Sequence, residues 1–180
     1  HTSGLSLTAQ QPFNNIVRGT LQALAMVLGG AQALEISAFD EAYRTPSRES
    51  HLVALRTQQV IELEAGAARV LDPLGGSHYL EALTDEMERR IDALIREIEA
   101  KDSPAVLAEQ GWFRDFFRNA MERYQQQLGR GDRLLVGVNV HRITPEEDTL
   151  LKEAAERKLS PSVERVTRIR AFKASRDGSR

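Results

Sequence analysis

Ala31-Gln32-Ala33-Leu34-Glu35-Ile36-Ser37-Ala38-Phe39-Asp40-Glu41 is the stretch whose reading decides the fold. Its first six residues form a short apolar run of the kind a buried strand uses, and Ser37 to Glu41 supply polar groups where that run stops. The same junction recurs at His1-Thr2-Ser3-Gly4 and at Asp72-Pro73-Leu74-Gly75-Gly76-Ser77, with a fourth distinct piece at Gly137-Val138-Asn139. In α/β proteins, strand ends fix such groups and loops leave them open to a ligand. Junctions repeated at similar spacing predict strand–helix units sharing one rim, in a barrel or a wound sheet.

The flanking patterns supply the helices of those units. Ile16, Val17, Leu21, Leu24, Ala25, Val27 and Leu28 make a wide helical stripe from Pro12 to Leu28, and Gly29-Gly30 stops it. Thr45-Pro46 predicts an N-cap and first-turn proline for a second helix, reaching about Glu64 before Gly66. Val70-Leu71 reads as another short strand. A third helix follows, with Leu80, Leu83, Met87, Ile91, Leu94, Ile95 and Ile98 on one face and acid-to-base pairs Asp85-Arg89 and Asp92-Arg96 on others. Ser103-Pro104 starts a short helix, Gly111 separates it from one over about Phe113 to Leu128, and Leu134 to Val136 is a brief extended run.

Beyond His141 the character changes. Thr144-Pro145-Glu146-Glu147 is a helix start in which Glu147 can close a capping box. Ser160-Pro161 opens a last helix striped by Val163, Val166, Ile169 and Phe172, and made basic by Arg165, Arg168, Arg170, Lys173 and Arg176. Phe172 alone offers an aromatic stacking group there, so the basic face reads as solvated or partner-docking rather than as a nucleic-acid site.

Composition narrows the function classes. A net charge of -2 gives no general attraction to nucleic acid or an anionic membrane. The chain has no cysteine, which removes disulfides, thiolate ligands and thiol nucleophiles. His1, His51, His78 and His141 share no ligand spacing, so no metal site is expected. No run approaches the ~20 apolar residues of a membrane span, and no basic-then-apolar leader opens the chain, so a cytoplasmic location is expected. A polar motif at residue 1, without a strand before it, predicts a piece of a larger polypeptide or assembly.

The ordered set of motifs carries a family resemblance. Thr2-Ser3-Gly4, Ser6-Leu7-Thr8-Ala9-Gln10 and Asn14-Asn15 with Arg18 resemble the catalytic-domain signature of methylmalonyl-CoA mutases. The likeness continues through Leu28-Gly29-Gly30, Phe39-Asp40-Glu41-Ala42, Arg56-Thr57-Gln58, Asp72 to Ser77 with Tyr79, and Gly137-Val138-Asn139. It implies an adenosylcobalamin-dependent acyl-CoA mutase, which moves a carbonyl-CoA group between neighbouring carbons by a radical route. Residues 1–142 would be the C-terminal part of a (β/α)8 TIM barrel, and residues 143–180 a helical segment toward a cobalamin-binding domain. The implied partners are an acyl-CoA substrate, the remaining barrel and the cobalamin-binding domain or subunit, in a dimer or heteromer.

The resemblance also implies site residues. Gly4 falls on the glycine that lets the backbone approach the cofactor, and Glu41 on the acid that hydrogen-bonds the adenosyl ribose. Ser37 takes the place of an asparagine that touches the ribose, Arg44 that of a small residue against the adenosyl group, and His1 that of a glutamine beside the corrin. Those last three departures leave the identity of the acyl-CoA open. No Asp-x-His-x-x-Gly loop is present, so the cobalt ligand lies outside these residues, as does the family's substrate grip.

Each residue also has a plainer reading. Glu41 can serve as a helix-start carboxylate, Asp72 as a turn residue and Ser37 as a strand-end hydroxyl. His51 is expected on a helix surface, His78 on a loop, and Trp112, Phe113, Phe116 and Phe117 in helix packing. For the whole chain, the rival to an enzyme is a non-catalytic assembly subunit that keeps the barrel pattern.

Overall fold

A computed structural model describes residues 1–144, 146–149, 152 and 163–176, with backbone only at Ala68, Val163 and Glu164. Its regular elements are helices: α1 (Asn14–Leu28), α2 (Arg48–Leu63), α3 (His78–Lys101), α4 (Pro104–Glu109), α5 (Trp112–Arg130) and α6 (Val163–Ser175). Single 3-10 turns occupy Gly4–Ser6 and Ala67–Arg69. The Ser160-Pro161 helix start lies outside the described residues.

The helix signals translate closely. α1 ends in a Schellman motif: Gly30 sits at φ 75°, its N–H donates to the Val27 carbonyl, and the Ala31 N–H reaches back to Met26. Gly111, at φ 81°, parts α4 from α5. Three expectations are corrected. α2 is capped by Ser47 rather than Thr45: its hydroxyl accepts from the Ser50 N–H at 3.1 Å, while Asp40 holds the Ser47 N–H. On α3 the ion pairs join Glu86 to Arg89 and Arg90, and Glu97 to Lys101, rather than Asp85 to Arg89 or Asp92 to Arg96; the two arginines pull the Glu86 carboxyl down to about 2. His78 opens α3 instead of sitting in a loop.

The predicted strands are not formed: among the described residues there is no strand, only one isolated bridge between Val136 and Val140. Val70 and Leu71 follow a 3-10 turn, and Leu71 is 97% exposed, which no barrel strand would tolerate. The α/β expectation is therefore met in its helices and not in its sheet. One trace of strand pairing survives at the first junction. The Thr2 N–H donates to the Glu35 carbonyl at 2.9 Å, and the Ser37 N–H returns a bond to Thr2, through its Oγ1, at 2.8 Å. Only the first of these bonds joins backbone to backbone; the second ends on a side-chain hydroxyl, so the contact is a single rung that fixes no strand direction.

Behind that rung lies the small core. Ala23 of α1, Ile36, and Ala54 and Ile61 of α2 are buried together. Gly19 lets α1 approach closely: a Cβ there would lie 3.1 Å from Ile36 Cγ2. By contrast, α3 buries no residue, and its stripe of Leu83, Met87, Ile91 and Ile95 is exposed.

Candidate functional site

The first two motifs converge. A Cβ built on Gly4 would lie 3.1 Å from Glu41 Oε1, so the turn after Thr2 and the turn after Ser37 meet edge to edge. Both residues are exposed. Among the described residues the Glu41 carboxylate takes no hydrogen bond or ion pair, and it stands beside backbone that carries no side chain. A free carboxylate next to bare backbone suits a flat ligand with adjacent hydroxyls, since two oxygens can accept from two neighbouring O–H groups.

Local chemistry explains why Glu41 stands there. Asp40 is fully buried and organises the loop. Its carbonyl accepts from the Tyr43 and Arg44 N–H groups, and its Oδ2 accepts from the Ser47 N–H at 3.1 Å and from Arg44 Nε at 2.7 Å. Burial pushes the Asp40 carboxyl up, but the Ser50 hydroxyl, Arg44 and the Ser47 N–H outweigh it and hold the group below its ordinary value. The loop thus turns one acid inward as a structural anchor and its neighbour outward as a free acceptor.

The remaining expected site residues are nearby but engaged. Ser37 is buried, and its hydroxyl donates to the Thr2 carbonyl at 3.3 Å. Arg44 folds onto Asp40, with its guanidinium 5.7 Å from the Tyr43 ring centroid. His1 is exposed, with Nδ1 against the Thr2 carbonyl and Nε2 4.0 Å from Glu35. Asp72 adopts φ 48° and closes its own turn, so it takes no part in this edge. Gly137-Val138-Asn139 is also structural: Asn139 accepts from the Leu135 N–H and donates to the Leu128 and Arg133 carbonyls.

A row of polar residues on α1 supports the edge from behind. Asn15, Arg18 and Gln22 stand at i, i+3 and i+7 and so share one helix face. Asn15 Nδ2 donates to the Thr8 and Phe39 carbonyls, both at 2.8 Å, and its Oδ1 accepts from the Thr8 N–H at 3.0 Å. Arg18 bonds Thr8 Oγ1, Asn15 Oδ1 and the Val136 carbonyl; burial lowers its guanidinium from the ordinary value, against a smaller raising effect of Tyr124. Gln22 bonds Ser3 and Ser6. A three-residue polar row at helical spacing on an otherwise mostly apolar helix was the available signal for Gln22, which motif reading passed over.

Comparison with known proteins agrees with this convergence of motifs. The family model for methylmalonyl-CoA mutase matches residues 1–180. The chain belongs to the methylmalonyl-CoA mutase family. It is 39% identical over 176 residues to the 2-hydroxyisobutanoyl-CoA mutase large subunit of Aquincola tertiaricarbonis, covering 98% of this chain and 31% of that protein. It is 37% identical to methylmalonyl-CoA mutase of Escherichia coli (strain K12), over 98% of this chain and 24% of that protein. The mitochondrial methylmalonyl-CoA mutase of Bos taurus is 36% identical, with 23% of its length covered. The chain therefore spans between 23% and 31% of the length of these curated relatives. Among the described residues no helix is long and apolar enough to cross a membrane.

Proposed function

We propose that this chain forms part of an adenosylcobalamin-dependent acyl-CoA mutase, an isomerase that rearranges the carbon skeleton of a short branched acyl-CoA. In this reading residues 1–142 complete a (β/α)8 barrel in the cytoplasm and contribute its adenosyl-facing rim. Residues 143–180 lead toward a cobalamin-binding domain or subunit, which holds the cobalt ligand. The observation that carries the proposal is the approach of Glu41 Oε1 to the open backbone of Gly4. The bonds from Thr2 to residues 35 and 37 support it, because they tie the first junction to the second.

Adenosylcobalamin, when bound, supplies the radical through its cobalt–carbon bond; the protein contributes positioning and shelter. Glu41 accepts hydrogen bonds from the ribose hydroxyls and fixes the sugar's rotation. Gly4 lets the nucleoside lie against main chain. Ser37 shapes the floor of this pocket through its bond to Thr2, and reaches the ribose only by surrendering that bond. Arg44, held by Asp40, bounds the far side, and His1 stands at the end nearest the corrin. The relatives' two substrate names, methylmalonyl-CoA and 2-hydroxyisobutanoyl-CoA, support the reading of a short branched acyl-CoA substrate.

The test is equilibrium titration of the assembled enzyme with adenosylcobalamin. Glu41→Ala removes the acceptor and should weaken binding by roughly tenfold or more, the worth of hydrogen bonds to a charged group. Unchanged affinity and turnover would remove Glu41 from the site.

A further inference from the structure

Between Thr2 and Thr8 the chain makes a single 3-10 turn, too short to hold its own shape. Among the described residues, one side chain outside the turn hydrogen-bonds to residues 3–7, and that side chain is Gln22 of α1. The Ser3 N–H donates to Gln22 Oε1 at 2.7 Å, Gln22 Nε2 donates to Ser6 Oγ at 2.6 Å, and Ser6 Oγ donates to the Ser3 carbonyl at 2.6 Å. The orientation of the amide follows from chemistry: a backbone N–H can only donate, so the oxygen must face Ser3 and the nitrogen Ser6.

These bonds close a ring that begins and ends on Ser3. The Ser3 carbonyl also accepts from the Ser6 N–H at 3.1 Å. Because the peptide unit is planar, fixing that carbonyl fixes the Gly4 N–H on its opposite edge. The same peptide sets where the Gly4 backbone stands relative to Glu41, whose Oε1 lies 3.1 Å from a notional Cβ on Gly4.

We propose that Gln22 is a positioning residue for the cofactor edge: its amide clamps the Gly4 turn at the spacing from Glu41 that receives the nucleoside. This rests on the adenosyl-binding reading above. Gln22 itself touches no ligand. It acts from the third turn of α1 through Ser3 and Ser6, and it couples the helix to the strip of backbone on which the ligand lies.

The experiment uses the assembled enzyme and reads adenosylcobalamin affinity by equilibrium titration, with thermal midpoint alongside. Gln22→Met keeps length and helix propensity but removes both hydrogen bonds. It should weaken the cofactor roughly tenfold, about the worth of two neutral hydrogen bonds, with the midpoint nearly unchanged. Gln22→Glu keeps an acceptor for the Ser3 N–H, and the Ser6 hydroxyl can turn to donate to it, so most of the affinity should return. Glu41→Ala is the parallel control. If it weakens binding while Gln22→Met does not, the clamp is refuted and the site stands. If Glu41→Ala has no effect, the site reading falls and the clamp with it. A large drop in midpoint for Gln22→Met without rescue by Gln22→Glu would reduce Gln22 to a fold-stabilising role, which also overturns the proposal.

Discussion

Replacing Asn15 by leucine tests whether the two halves of the site are held together by one buried amide. Asn15 is 1% exposed, and its side chain satisfies the Thr8 N–H, the Thr8 carbonyl and the Phe39 carbonyl, besides accepting from Arg18. Leucine is close in size, so the change removes hydrogen bonds with little change of volume. It strands three backbone groups, and each unsatisfied buried group costs about 1–3 kcal/mol. Water entry and shared relaxation limit the sum, so a loss of about 3–5 kcal/mol is expected, within the range of severe single substitutions. For a body of this size that lowers the thermal midpoint by roughly 10 °C. Asn14→Ala is the control, because Asn14 makes one partly buried side-chain bond to Gln11 Oε1 and should cost under about 1 kcal/mol. Thermal unfolding of the assembled protein, compared between the two variants, reads the difference. Equal midpoints would show that Asn15 does not bear the junction, and would remove the physical reason for Glu41 and the turn after Gly4 keeping a fixed separation.

Two further outcomes follow from the same geometry. Gly4→Ala places a methyl 3.1 Å from Glu41 Oε1, a flexible side-chain end, so the fold should tolerate it while adenosylcobalamin affinity falls about tenfold, ~1.4 kcal/mol; a titration showing wild-type affinity would count against the edge as a binding surface. Asp40 has its folded pKa held below the ordinary carboxylate value. Its contribution to stability is therefore fully present above about pH 4, the unfolded value, and is lost as pH falls through the lower folded value. The stability gap between wild type and Asp40→Asn should be widest above that pH and close below it; a gap independent of pH between 2 and 7 would refute the assignment of the charge.

How far the sequence could be read depends on where each residue finds its partner. Helix ends were legible because their partners are local. Gly30 and Ala31 close α1 through carbonyls three and five residues back, and Glu147 Oε2 accepts from the Thr144 N–H at 2.8 Å, one half of the expected capping box. Ser47 displaced Thr45 as cap because Asp40, seven residues earlier, holds its N–H, a contact no propensity scale contains. Strands failed for the opposite reason. An apolar run such as Leu34 to Ile36 specifies a strand only if extended chain lies on both sides, and Thr2 alone lies beside it.

The site shows the same division. Gly4 and Glu41 are separated by 36 intervening residues, and no local rule brings them together. They were found because the motif set marks them, while the forces that join them come from polar residues on α1 that carry no motif of their own at Gln22. Among the described residues the regular elements are wholly helical, and the one backbone bond between Thr2 and Glu35 sets no strand direction. Thr2 is nevertheless tied to residues 35 and 37 by three bonds, two of them through side-chain hydroxyls. Gly4 lies two residues beyond Thr2 and Glu41 four beyond Ser37. With so little chain between those ties and the two residues, neither can move far from the other, which accounts for the approach of Glu41 to Gly4.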